Sequence, residues 1–268
     1  MVRSLYRLLC SNAFKTLGAR TNSHYYTTTY SYPEAMNGNE NDNPNKIVPF
    51  TTSNCKLLAA QGAEILKSGA VIATPTDTVY GIACDAQNKS AIRRIYEIKG
   101  RDFNKPIAIC VSTIDEVYHW GKITVSRLLL EDLLPGPVTL VFERLPVLNS
   151  HLNPNTSLIG IRIPDNPFII QLAKAHCGPI ALTSANPSST PSTLCIEEFK
   201  TLWSSLDLVI DGGRLSSCET SEKAARAGST VIDLSHPGYF RIIRSGSAQE
   251  QSIHILRNKH GLLEELTK

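Results

Sequence analysis

What the 268 residues lack narrows the possibilities first. No apolar run approaches the ~18 residues a membrane-spanning helix requires, so no transmembrane segment is expected. The seven cysteines (Cys10, Cys55, Cys84, Cys110, Cys177, Cys195 and Cys218) are odd in number, scattered and never spaced C-x-x-C. That excludes a disulfide framework or zinc ribbon and favours a reducing compartment, in which the sequons at Asn88 and Asn155 carry no weight. None of the seven histidines falls in H-E-x-x-H spacing, so no protein-held metal is expected. The common nucleotide and hydrolase signatures are missing too: there is no G-x-x-x-x-G-K-S/T loop, no G-x-G-x-x-G and no G-x-S-x-G elbow. A nucleotide handled here needs another device.

Acidic residues are absent from the first 33 positions, which carry Arg3, Arg7, Lys15 and Arg20. The remainder holds 23 basic against 24 acidic residues, so the net charge of +3 belongs wholly to the leader. That leader is rich in Ser and Thr, and as a helix it sets Leu5, Leu8 and Leu9 apart from Arg3 and Arg7. It has the character of a mitochondrial transit peptide, while Arg7 and Lys15 break any secretory apolar core. Residues 1–33 are therefore expected to be a targeting leader, 34–49 a polar linker and 50–268 one folded domain. A second start at Met36 would skip the leader, so both mitochondrial and cytoplasmic forms are expected.

From residue 50 onward, apolar patterning predicts helices over 55–67 (capped by Ser53, with Leu57, Leu58, Ile65 and Leu66 inward and Gly69 as its stop), 91–99, 125–134, 167–176, 196–202 and 249–259. Short apolar runs predict strands at 70–73, 107–111, 138–142, 158–163, 180–183, 206–210, 230–234 and 240–243. The alternation points to a single-domain α/β fold with helices on both faces of the sheet.

Polar clusters follow several of these strands, where loops of α/β sheets carry function. Pro75-Thr76-Asp77-Thr78-Val79-Tyr80-Gly81 reads either as a capped turn or as a polar ligand loop. Lys99-Gly100-Arg101 with Lys105-Pro106 gathers cations that a phosphate chain or carboxylate would stabilise, or that simply complement a helix C-terminus. Arg162 lies inside the apolar run Ile159-Gly160-Ile161-Arg162-Ile163 and must reach an anion or the surface. Thr183-Ser184-Ala185-Asn186-Pro187-Ser188-Ser189 offers hydroxyls and amides with no histidine nearby in sequence to activate Ser184, which favours ligand binding over nucleophilic catalysis. Asp211-Gly212-Gly213, Gly228-Ser229-Thr230 and 241–244 are weaker signals.

In this order P-T-D-T-V-Y-G, K-G-R with K-P, P-G-P-V-T, G-I-R-I-P, T-S-A-N, D-G-G and G-S-T-V-I-D resemble the YrdC-type threonylcarbamoyl-AMP synthase family, over about residues 55–246. The resemblance implies a twisted mixed sheet around a large concave basic cavity, in the short form without an extra C-terminal domain. It implies a nucleotidyltransferase that joins L-threonine, bicarbonate and ATP, with Mg2+, into threonylcarbamoyl-AMP and pyrophosphate. A downstream threonylcarbamoyltransferase (a KEOPS-type complex or its mitochondrial counterpart) would then modify the adenosine beside the tRNA anticodon.

Carried over residue by residue, the resemblance assigns Thr78, Cys110, Arg162 and Ser229 to the threonine side. It assigns Arg101, Lys105, Ser184, Ser192 and Arg244 to ATP, with Lys99 and Asn186 in support. Asp102 stands where many relatives have Pro and Cys110 where some carry His, and 215–227 has no assigned role. The competing reading is an RNA-binding module of the same fold. The near-neutral domain, without interleaved aromatic and basic residues, argues against stable nucleic-acid binding.

Overall fold

The structure, a computed structural model, describes residues 46–215 and 221–265. The expected leader and nearly all of the expected linker lie outside these residues. Strand β1 (Ile47–Pro49) nevertheless begins inside the stretch read as linker. Ile47 and Val48 pair with Val209 and Ile210, and the Lys46 ammonium donates to the Leu206 carbonyl at 3.0 Å.

The chain continues through α1 (Cys55–Lys67), β2 (Ile72–Thr74), β3 (Gly81–Asp85), α2 (Lys89–Lys99) and β4 (Ala108–Cys110). Next come α3 (Ile114–Trp120), β5 (Gly121–Lys122), α4 (Arg127–Leu133), β6 (Val138–Arg144) and β7 (Leu158–Arg162). The last part holds α5 (Pro167–His176), β8 (Ile180–Ser184), a 3-10 helix (Ile196–Ser205), β9 (Leu208–Asp211) and the short α6 (Glu222–Ala225). It ends with β10 (Thr230–Asp233), β11 (Tyr239–Arg244), α7 (Gln249–His254), which runs into a π turn (Ile255–Lys259), and β12 (Leu263–Glu264).

The strands form one mixed sheet in the order β1-β9-β2-β3-β8-β4-β7-β6-β10-β11-β12, with β5 added to the end of β6. Successive side chains alternate between its faces. On one face Ala73, Ile82, Ile109, Leu140, Phe142, Ile159, Ile161 and Ile232 build the larger core, against Ile92 and Ile95 of α2 and Leu129, Leu130 and Leu133 of α4. On the other, Ile72, Ala83, Ile180, Leu182, Leu208 and Ile210 meet α1 through Leu58 and Leu66 and α5 through Phe168 and Leu172. Gly62 lets α1 and α5 approach, since a Cβ there would lie 3.0 Å from Leu172 Cδ1.

Some expectations need correction. Asn54, not Ser53, precedes α1, and its side chain instead accepts from Thr51 N–H at 2.8 Å. Leu57 points outward and is 66% exposed, because the buried stripe runs through Leu58, Ala59, Ala63 and Leu66. Strand β3 was hidden by small residues and by its position behind a polar loop. Helix α3 is short, but its capping box joins Thr113 and Glu116.

Candidate active site

Helices α1 and α5 cover only part of the second sheet face. Over β4, β7, β6 and β10 the face lies open, and there a cavity of about 360 Å³ forms. Its floor comes from alternate residues: Ala108, Thr139, Val141, Leu158, Gly160 and Val231. Their strand neighbours Leu140, Ile159, Ile161 and Ile232 are buried on the face behind. Gly160 keeps the floor low, since a Cβ there would stand 2.8 Å from Thr139 Cγ2.

The loop before β3 forms one wall. The Thr76 hydroxyl accepts from Thr78 N–H at 3.1 Å and donates to the Val79 carbonyl at 2.7 Å, which folds the loop back and sets Thr78 at the cavity. Asp77 reaches across to Arg162, with Nη2 donating to Oδ1 at 2.5 Å, while its other oxygen accepts from Asp165 N–H at 3.0 Å. The pair is nearly dry, the side chains being 9% and 6% exposed, and Arg162 Nε has no partner. Arg162 lies where strand alternation puts it, on the cavity face between Ile161 and Ile163. Asp77 and the cavity supply the anionic and polar surroundings that its apolar strand lacks.

Tyr80 does different work. Its hydroxyl donates to the Gly213 carbonyl at 2.7 Å and accepts from Gly212 N–H at 2.9 Å, tying Asp211-Gly212-Gly213 to the loop. Burial pushes the phenol pKa up. Gly212 is needed there, because a Cβ would lie 2.9 Å from Pro75.

The other end of the cavity is basic. Arg101 follows the left-handed Gly100 that ends α2, and it is braced by Nε to the Lys105 carbonyl at 3.0 Å and Nη2 to the Pro106 carbonyl at 2.9 Å. Arg244, on an exposed stretch of β11, turns its Nη2 to the Ser229 carbonyl at 2.7 Å and to Ser229 Oγ at 3.1 Å. Burial lowers the pKa of both guanidiniums, and at Arg244 the charges of Arg162 and Arg101 lower it further. Gly246 lets the end of β11 press on this corner; a Cβ there would fall 2.3 Å from Thr230 N.

Behind this wall Lys99 is 2% exposed and donates to the Ser184 and Asn186 carbonyls. Burial brings its ammonium down to about 7, with Arg101 adding to the effect. Asn186 Nδ2 in turn holds the Thr190 carbonyl at 2.6 Å. These two residues carry the Ser184 loop without lining the cavity.

The cavity thus brings together Thr78, Arg101, Arg162, Ser184, Ser192, Ser229 and Arg244. Two expected residues stand apart. Cys110 is fully buried in the apolar cluster under α1 and α5, where burial pushes its thiol up to about 12, although it sits beside Arg162 in register. The Lys105 side chain is exposed and does not line the cavity; its contribution is the carbonyl that braces Arg101.

Three contributors were not picked out from the sequence. Asp77 reads locally as one member of a polar loop, because its partner lies 85 residues away. Thr139 lies within P-G-P-V-T, where nothing local marks its hydroxyl for a ligand. Arg226 lies in the unassigned stretch 215–227. It grips both carboxylate oxygens of Glu198 at 2.7 and 2.9 Å, Glu222 at 2.7 Å and the Ser192 carbonyl at 2.6 Å. Arg226 thereby holds the Glu198 carboxyl down to about 2.

Comparison with known proteins matches residues 64–246 to the Sua5_yciO_yrdC family model, described as "Telomere recombination". A threonylcarbamoyl-AMP synthase of Rattus norvegicus is 54% identical over 208 residues, 78% of this chain and 73% of the relative. The Homo sapiens threonylcarbamoyl-AMP synthase is 53% identical over 208 residues, 78% of this chain and 74% of its own. The crystal structure of P. abyssi Sua5 complexed with L-threonine superposes with a TM-score of 0.66 at 25% identity, covering 82% of this chain but 62% of that one. E. coli YciO gives a TM-score of 0.62 at 27% identity, covering 71% and 90%. The chain belongs to the Sua5/YciO/YrdC family.

Proposed function

We infer that this chain is a threonylcarbamoyl-AMP synthase, a nucleotidyltransferase of tRNA modification that condenses L-threonine, bicarbonate and ATP and releases pyrophosphate. The observation that carries the reading is the convergence of Arg101, Arg162 and Arg244 on one cavity. Arg162 is bonded to a carboxylate, whereas Arg101 and Arg244 bond neutral oxygens and keep their charge for a ligand.

The threonine amine and bicarbonate give an N-carboxy anion and water. A carboxylate oxygen of that anion attacks the α-phosphorus, and the bond to pyrophosphate breaks. Both reactants are anionic, so the residues must neutralise and align them rather than supply a nucleophile. Thr78, Arg162 and Ser229 are suited to threonine and its carbamate, and Arg101, Ser184, Ser192 and Arg244 to the triphosphate. Among the described residues no cluster of three or more His, Cys, Asp or Glu could cage a metal, and Asp77 is committed to Arg162. Magnesium is therefore proposed to enter with ATP, held chiefly by phosphate oxygens.

The test is incorporation of labelled bicarbonate by the purified protein. Product should form only with threonine and ATP present, and Arg101→Ala should depress it. Absence of an adenylate product, or full activity of the variant, would sink the reading. We further propose that the product passes to a KEOPS-type or mitochondrial threonylcarbamoyltransferase. A transit leader and a start at Met36 would supply mitochondrial and cytoplasmic pools, which N-terminal sequencing of each fraction would check.

A further inference from the structure

Two hydroxyls meet at the floor of the cavity. Thr139 Oγ1 lies 2.9 Å from Ser229 Oγ, and the residues are 5% and 4% exposed. Thr139 comes from β6 and Ser229 from the turn before β10, strands paired in parallel with Thr230 opposite Val138. The methyl of Thr139 stands above Gly160, where a side chain would collide with it. A β-branched residue has little χ1 freedom, so this seating fixes the hydroxyl toward Ser229.

The hydrogens can be counted. Each hydroxyl has one hydrogen and two lone pairs. Arg244 Nη2 donates to Ser229 Oγ at 3.1 Å and occupies one of its lone pairs. If Thr139 donates to Ser229, the Ser229 hydrogen is left without a protein acceptor. If Ser229 donates to Thr139, the Thr139 hydrogen is left instead. Both residues line the cavity, so in either arrangement one O–H remains for a ligand. The adjacent Arg244 guanidinium favours an anionic oxygen as that ligand atom.

We propose that Thr139 is a substrate-binding residue, and that Thr139 and Ser229 act as one two-oxygen unit presenting a single hydroxyl hydrogen to a carboxylate or carbamate oxygen of the threonine substrate. This rests on the assignment of Ser229 to the threonine side. Either oxygen can deliver the hydrogen, so losing one hydroxyl is partly compensated by the other. Losing both is not.

The experiment is a double-mutant cycle of Thr139→Val and Ser229→Ala, reading KM for L-threonine and for ATP at saturating levels of the other substrates. Thr139→Val preserves shape and removes only the hydroxyl. Circular dichroism and melting temperature establish that each variant is folded. Each single change is expected to raise the threonine KM by about fivefold, the net worth of one hydrogen bond. The double change is expected to raise it by about 100-fold or more, the scale of a lost bond to a charged group, with KM for ATP unmoved. Thr139→Ser should keep near-normal values. A double variant equal to the product of the singles, or Thr139→Val without effect, overturns the shared unit. An excess effect that falls on the ATP KM instead upholds the unit but overturns its assignment to threonine.

Discussion

The same strands build two unlike surfaces. In β7, Ile159 and Ile161 face a sealed core while Leu158, Gly160 and Arg162 face the cavity; in β6, Leu140 and Phe142 are set against Thr139 and Val141. The residues on the sealed face are large and interlocked. Those on the cavity face mix the apolar Leu158 and Val141 with Gly160, Thr139 and Arg162, and the helices stop short of covering them. A catalytic surface can therefore be cut into a stable sheet without weakening it, because each strand devotes one parity of residues to packing and the other to chemistry.

The largest effect should come from testing that division directly. Arg162→Lys keeps a charge beside Asp77 but loses the planar fork, and turnover is expected to fall by about 100-fold with little change in melting temperature. Its neighbour Ile161→Ala should do the reverse. Denaturant unfolding is expected to show a loss of about 2–5 kcal/mol, while activity per folded molecule is retained in the cold. If both substitutions damaged activity and stability alike, the two faces would not be independent.

A smaller effect concerns Lys99, behind the wall. Its folded pKa of about 7 lies below the ~10.4 of an unfolded chain, so the folded state binds fewer protons between those values. The burial cost is complete below about pH 7 and fades as the pH rises toward 10. Relative to Lys99→Met, the wild type should gain up to about 1.4 kcal/mol per pH unit across that window, measured by urea unfolding. A flat difference would mean that the Ser184 and Asn186 carbonyls hold the ammonium charged throughout.

The smallest effect is expected at Arg226, outside the sheet. Arg226→Lys leaves a charge near Glu198 but loses the fork that also steadies the Ser192 carbonyl. Steady-state kinetics should show the ATP KM rising by about threefold, from a hydrogen bond worth about 0.5–1.5 kcal/mol, and the threonine KM unchanged. Equal shifts in both would mean that the contact merely supports the fold.

How much was legible beforehand follows from the same geometry. G-I-R-I alternates visibly, and an Arg among isoleucines announces its own need for an anion. The family resemblance named Thr78, Arg101, Ser184, Ser192, Ser229 and Arg244, and all six line one cavity. Register puts Cys110 beside Arg162, while α1 and α5 bury it, and their reach cannot be read from a single strand. The Lys105 side chain is exposed away from the cavity lining, and its carbonyl braces Arg101. The Asp77–Arg162 and Arg226–Glu198 contacts are long-range pairings of exact angle and distance, which local patterning does not encode.

One early feature bears on how the protein is made. Strand β1 completes the sheet edge on β9 from Ile47 onward, and Lys46 is fastened to Leu206. Any protease that matures the chain must therefore cut upstream of Lys46, or it would strip a hydrogen-bonded strand and bare the β9 edge to other chains. Initiation at Met36 respects that limit, leaving ten residues before Lys46. If a transit leader and a start at Met36 supply two forms, as proposed, each keeps the same sheet edge from Ile47 onward.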